Sequence, residues 1–252
     1  MKGMDLFDGH FHCQGAHGAA SVAKWLDCGE LSGILCCTDL SSAHEDFEET
    51  NRDLLALSAE RGRDVLPLLA MVHINRPGWQ EHAAAWFDKH PTLVGIKLHP
   101  PISRYRISTE LLEALFGFAL ERNICVASHT TPIPGQSAAD FHEALCRHRE
   151  TTLILYHAST HEQSAYLAEV FKNVYVEPTW LGFFPHLFQL TQKLGGWRKL
   201  LAGTDGPGWF ASFEGSPYED LIAIARKHMG DDEEALRGFC AGNVRRLLST
   251  LR

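Results

Sequence analysis

The sequence predicts an α/β fold, a (β/α)8 TIM barrel built as a single domain over residues 1–252. Three observations predict it. Short apolar runs alternate with helix-patterned stretches along the whole chain, as parallel strands joined by helical crossovers require. Eight such runs can be read, and eight units closing on themselves take about 250 residues; the chain has 252. Several runs carry a His or Asp at the C-terminal end, where a barrel of this kind opens. An open doubly wound sheet is the alternative, but the glycine fingerprint of its dinucleotide-binding form is absent.

The predicted strands, in order, are residues 5–12, 33–38, 65–72, 93–99, 124–129, 153–157, 174–177 and 199–205. The first passes from Leu6-Phe7 into Asp8-Gly9-His10-Phe11-His12. The fourth, Leu93-Val94-Gly95-Ile96, leads into Lys97-Leu98-His99-Pro100. The fifth ends at His129, the sixth at His157 and the eighth at Asp205, which Gly206-Pro207 follows. Continuous apolar runs bounded by turn residues fit strands buried on both faces. Between them, Ser42-Ala43-His44-Glu45 and Thr160-His161-Glu162-Gln163 fit the capping box, and Ser216-Pro217 puts Pro at a first helical position. Residues 109–122 carry one wide apolar stripe through Leu111, Leu112, Leu115, Phe116, Phe118 and Ala119.

Composition narrows the function. A hydrophobic fraction of 45% and a charged fraction of 21% are globular. The net charge of -8 argues against a nucleic-acid surface, and the basic pairs Arg245-Arg246 and Arg61/Arg63 fall in predicted helices, on solvated faces. No leader-like or bilayer-length apolar run is read, so the expected location is cytoplasmic with no membrane partner. Seven dispersed Cys, with Cys36, Cys37 and Cys125 inside apolar runs, read as reduced buried thiols. Cys13 follows His12 and would face away from it on a strand. No CxxC metal motif is present.

The chemistry-bearing residues lie at the strand ends. On a strand, residues two apart share a face, so Asp8, His10 and His12 line up. Two imidazoles one pleat apart can reach a single cation, although such a pair also occurs on ordinary exposed strands. By the same alternation Leu153, Leu155 and His157 share the inward face, as do Leu201, Gly203 and Asp205. His10, His12, His129, His157 and Asp205 then meet at one mouth. Three imidazoles and a carboxylate around a cation leave a position for water, which is acidified toward a pKa of about 7. Asp205 can take the proton and return it to a leaving group. His157 could polarise a substrate carbonyl, act as an acid, or bind a second ion. Zinc is the default for such ligands; manganese, iron or cobalt could occupy the same ones, and one or two ions are open.

Asp-x-His-x-His on the first strand, His on the fifth and sixth and Thr-Asp-x-Pro on the eighth resemble the amidohydrolase superfamily. Within it the chain is most similar to the compact single-domain branch often called amidohydrolase 2. Gly95-Ile96-Lys97-Leu98-His99-Pro100 and the closing Gly242-Asn243-Val244-Arg245-Arg246-Leu247 are similar to segments typical of that branch. The resemblance runs from Asp8 to Leu247 and is specific as an ordered set. It implies a metal-dependent barrel, mostly hydrolases of amide, ester or lactone bonds, with some decarboxylases and hydratases. It also implies His10, His12, His129 and Asp205 as ligands, with His157 catalytic or completing a second site. One departure is Thr130-Thr131-Pro132 after His129, where the family often has a nearby glycine.

Lys97 has three readings. It matches a lysine that some members carboxylate to bridge two metals, and Lys-Leu-His-Pro resembles the Lys-Leu-Tyr-Pro of dihydroorotases. It could instead be a charged group gripping a substrate carboxylate, or a salt-bridge partner. His99, one pleat nearer solvent, is a candidate substrate contact. Arg104 and Arg106 could bind an anion through their forked donors or simply be solvated. Trp180 and Trp209, with Phe183, Phe184 and Phe210, could line an apolar pocket, form a lid, or make a dimer contact. Glu177 would support the ligands from behind.

The leading expectation is a metal-dependent hydrolase of a small organic molecule, a carboxylate-bearing one among the options. A non-oxidative decarboxylase or hydratase is the alternative on the same site. A phosphoesterase or deoxyribonuclease fits less well, because related nucleases place a Glu where this chain has Lys97. A metal-binding barrel without turnover is the non-enzymatic reading. Homo-oligomer formation stays open.

Overall fold

The computed structural model describes residues 4–15, 18–41, 46–158, 161–179, 194, 196–208 and 216–251. Seven strands pair in chain order, each parallel to its neighbours: β1 (Phe7–His12), β2 (Gly33–Cys37), β3 (Leu68–Met71), β4 (Leu93–Leu98), β5 (Cys125–His129), β6 (Leu153–Tyr156) and β7 (Val174–Glu177). Helices cross between them: α1 (Gly18–Asp27), α2 (Phe47–Thr50), α3 (Arg52–Arg61), α4 (Trp79–Lys89), α5 (Pro100–Ser103), α6 (Thr109–Arg122), α7 (His142–Arg147) and α8 (His161–Val170). After the eighth segment come α9 (Pro217–Met229), α10 (Glu233–Arg237), a π turn (Gly238–Gly242) and α11 (Asn243–Ser249). This is the curled parallel sheet of a TIM-barrel-like fold.

The predicted eighth strand needs correction, because residues 199–205 do not form a regular strand. They nevertheless join the two edges of the sheet. Leu201 N–H donates to the Val176 carbonyl (2.9 Å) on β7. On the other side the Gly9 and His12 N–H groups donate to the Ala202 and Gly206 carbonyls, each at 2.7 Å, and Asp205 N–H donates to the His10 carbonyl (2.8 Å). Two things break the ladder. Ala202 turns its N–H to Phe239, and Asp205 adopts a left-handed φ of 55°. Gly9 permits the close approach on the β1 side: a Cβ there would stand 2.7 Å from the Ala202 carbonyl oxygen.

Two apolar layers result. Phe7, Leu35, Cys37, Leu69, Val94, Cys125, Ala127, Ile154, Tyr156 and Leu201 fill the barrel, and Val244, Leu247, Leu248 and Leu251 from α11 and the residues after it pack with them. A larger layer between sheet and helices holds Phe11, Leu68, Ile96, Leu98, Phe116, Leu155 and Phe239. Asn243 ties the closing helix to the eighth segment, donating to the Trp197 and Leu200 carbonyls at 2.7 Å each. The α6 stripe falls on the predicted residues, with Ser108 as N-cap, and α9 starts at Ser216-Pro217 as expected. Residues 42–45 and Thr160, on which the two capping boxes rest, lie outside the described residues. All seven cysteines are free thiols. No helix among the described residues is long and apolar enough to cross a membrane.

The inward alternation differs from expectation on two strands. In β1 an extra residue between Asp8 and Phe11, against Ile34 and Cys36 of β2, shifts the register. Phe7, His10 and His12 therefore face inward while Asp8 does not join the two imidazoles. Its carboxylate accepts from Thr204 Oγ1 (2.6 Å), Tyr218 Oη (3.0 Å) and the His10 N–H (2.9 Å). In β6, Ile154 and Tyr156 face the barrel interior, and Leu153 and Leu155 face the helices. His157 thus cannot inherit the inward face from Leu155. It reaches the mouth because the chain turns there into left-handed backbone, with φ 69° at His157 and 47° at Ala158.

Candidate metal centre

Three ligand atoms from two chain segments converge at the mouth. His10 Nε2 and His12 Nε2 are 3.1 Å apart, and Asp205 Oδ1 stands 3.3 Å from the first and 3.0 Å from the second. His10, His157 and Asp205 also offer ligand atoms within 4.8 Å of one another, as do His10, His12 and Cys37. Behind the cluster, His10 Nδ1 meets Glu177 Oε2 at 2.7 Å, and Thr179 Oγ1 donates to the same carboxylate. With its proton on Nδ1 and donated to that carboxyl group, His10 turns the Nε2 lone pair toward His12 and Asp205. The His10 ring lies flat on Tyr156, centroids 3.7 Å apart, and Tyr156 Oη donates to the Gly9 carbonyl.

Electrostatics favour neutral imidazoles. Burial, with Lys97 and the other imidazoles adding to it, holds His10 well below the usual histidine range. Burial also lowers His12, against an upward pull from Asp205, and lowers His157 to about 4. Burial pushes Asp205 upward, but the His12 hydrogen bond and the neighbouring His12, His157 and Lys97 outweigh it, so it stays ionised below the usual carboxylate range. Burial raises Glu177 well above that range and Asp8 to about 6.

The other predicted site residues divide. Lys97 is fully buried. Its Nζ lies 3.5 Å from His10 Nε2 and 3.8 Å over the Tyr156 ring. The Asp205 and Glu177 carboxylates act on Lys97 through their charge, against the burial that lowers its pKa. His129 packs edge-on against His157 (4.3 Å between centroids) and stacks on His99 (4.1 Å), so the imidazoles continue from the cluster toward solvent. His99 also accepts from Ile102 N–H, and burial lowers it to about 3. Arg104 and Arg106 are exposed in the segment after α5, with no ion pair among the described residues. Trp180 and Trp209, with Phe183, Phe184 and Phe210, lie outside the described residues.

Three neighbours of the cluster escaped the sequence reading. Tyr156 looked like an ordinary strand residue, because its face depends on the parity of β6. Thr179, two residues beyond Glu177, donates to its carboxyl group, a local spacing that could have pointed to it, and it meets His10 Nδ1 at 3.2 Å only through the fold. Cys37 was read as a core thiol; its place beside His10 and His12 follows from the pairing of β2 with β1.

The residues fit a divalent cation. Tetrahedral ligands at about 2.0–2.1 Å from zinc stand about 3.3 Å apart, and the three converging atoms are separated by 3.0–3.3 Å. Two neutral imidazoles and an ionised carboxylate are the donor types such ions take. Glu177 Oε1 and His12 Nδ1 are buried without a hydrogen-bond partner, so this polar pocket is not satisfied by protein groups alone. Glu177→Gln should weaken metal binding about 10- to 100-fold by lowering the basicity of His10, with thermal unfolding of the metal-free protein little changed. Titration with a metal indicator checks this, and an unaltered affinity would show that Glu177 does not tune the centre.

Residues 29–250 match the model of the family described as Amidohydrolase. His10 and His12 precede that range. Among curated proteins no sequence matches the chain. Solved structures share the fold at low identity. A dihydroxybenzoic acid decarboxylase from Polaromonas sp. JS666, with bound manganese and 2-nitroresorcinol, aligns over 98% of this chain and 97% of its own, with TM-score 0.71 and 11% identity. An amidohydrolase from Burkholderia multivorans with bound zinc aligns over 98% and 100%, with TM-score 0.66 and 13% identity. A protein assigned as a 2-pyrone-4,6-dicarboxylic acid hydrolase, from Acinetobacter baumannii with citric acid bound, aligns over 98% and 100%, with TM-score 0.63 and 14% identity. At such identities these likenesses establish the architecture alone. The family match, spanning most of the sequence, goes further: the chain belongs to the amidohydrolase family.

Proposed function

We propose that the protein is a metal-dependent hydrolase of a small, carboxylate-bearing organic molecule, with His10, His12, His129 and Asp205 as metal ligands. The observation that carries this reading is the convergence of His10 Nε2, His12 Nε2 and Asp205 Oδ1 within 3.3 Å at the mouth of the sheet. A divalent cation held there, with zinc the first choice, supplies positive charge against a substrate oxygen and acidifies water toward a pKa of about 7.

The chain's own groups do the rest. Asp205 is partly exposed and ionised, so it can take a proton from water at the mouth and pass it to the leaving group. His157, neutral at pH 7, serves as a hydrogen-bond partner for a substrate carbonyl. Lys97 has two functional readings, a cation facing a substrate carboxylate or a carbamate bridging two ions. One metal per chain selects the first and two select the second. His99 faces the substrate side, and Arg104 and Arg106 at the rim draw in an anion. Trp180 and Trp209 are proposed as substrate contacts. The cytoplasm is the proposed location.

Non-oxidative decarboxylation is the second reading, favoured by the manganese-bound decarboxylase that shares the fold. The test is elemental analysis followed by a panel of aromatic acids, lactones and amides assayed in oxygen-18 water. Solvent label in the organic product supports hydrolysis, and release of carbon dioxide with an organic product free of label supports decarboxylation. Neither product from metal-loaded protein on any substrate would reject both.

A further inference from the structure

Cys37 ends β2 fully buried, facing the barrel interior rather than the helices. Its register partner is His12. The Cys37 sulfur and one ring nitrogen each of His10 and His12 lie within 4.8 Å of one another, and all three side chains are buried. The adjacent Cys36 points the other way, among the outer apolar residues, and its thiol donates to the Cys37 carbonyl at 3.5 Å. Among the described residues no hydrogen bond engages Cys37 Sγ, and His12 Nδ1 is likewise buried without a partner.

We propose that Cys37 is a ligand of the metal centre, a sulfur donor from β2, and that the resident ion is therefore a thiophilic one of the zinc type. The inference rests on the metal-dependent reading above and adds a sulfur donor to its ligands, which gives the preference for zinc a chemical reason. Thiolate selects zinc or cobalt over manganese and magnesium, which prefer oxygen. On binding, the Sγ–H bond breaks and an Sγ–metal bond forms. The electron pair stays with sulfur, the proton passes to water, and no oxidation state changes. Wild-type protein thus releases one more proton per metal bound than Cys37→Ser does.

Cobalt(II) is the probe. Cobalt-loaded parent protein should show a near-ultraviolet sulfur-to-cobalt charge-transfer band beside the visible cobalt bands. Cys37→Ser should lose the first and keep the second, with zinc affinity down about tenfold or more and manganese affinity little changed. Visible bands without the near-ultraviolet band in the parent would overturn the sulfur ligand and leave the hydrolase reading standing. No cobalt or zinc bound by the parent would overturn the hydrolase reading itself. Should Cys37→Ser fail to fold, X-ray absorption of zinc-loaded parent protein decides: sulfur in the ligand shell supports the proposal, and nitrogen and oxygen alone defeat it.

Discussion

Protein carrying both His10→Ala and His12→Ala will hold no metal and turn over no substrate. The expected metal content falls from at least one ion per chain to background, and kcat falls about 10⁴-fold or more, because water loses its acidification from pKa 15.7 toward about 7. Both imidazoles present Nε2 to the same point, so neither can replace the other. His10→Ala also carries a structural cost. Its ring stacks on Tyr156 and satisfies Glu177, and removing it leaves a void and an unpaired buried carboxyl group. His12→Ala separates the two effects, since His12 has no such support behind it and its Nδ1 is unpartnered. Its melting temperature should match that of the chelator-treated parent, whereas metal at about 100 times Kd should raise the parent's stability by about 2.7 kcal/mol. Stoichiometric metal in the double variant would place the centre elsewhere.

Asp205→Asn should abolish most of the catalysis while retaining the metal. Asparagine keeps an oxygen where Oδ1 approaches both imidazoles at 3.0 and 3.3 Å, but it cannot accept and return a proton. A positioned acid–base group contributes about 10²–10⁴-fold, so kcat should drop by that factor with KM little altered. The non-enzymatic reading gives a different result, namely unchanged ligand binding and no turnover in either protein. A variant retaining more than about a tenth of parental kcat would remove Asp205 from the proton-transfer role.

Much of the architecture was legible because parallel strands buried on both faces leave continuous apolar runs, and the helices between them carry cap signals and stripes. The residues at the strand ends were legible for the same reason, since a barrel mouth gathers the C-terminal ends of all its strands. Side-chain direction was less legible. The two-residue alternation placed His10 beside His12 and put Leu201 and Gly203 inward, but it misassigned Asp8 and the face of β6. A bulge of one residue reverses every side chain beyond it, and nothing in Asp8-Gly9-His10 announces the bulge.

The amino-acid order by itself determined the α/β class, the succession of strands, and the set of His, Asp and Lys side chains that gather at one end. Only the tertiary structure decided how each one arrives. His157 and Asp205 reach the mouth through left-handed backbone, at 69° and 55°, which Asp and His adopt more readily than most side chains but which only the surrounding packing imposes here. Lys97 rests on Tyr156, and Cys37 meets His12, because strands far apart in sequence pair in one register. These are long-range contacts, set by closing the sheet through residues 199–206, and a local pattern carries no record of them.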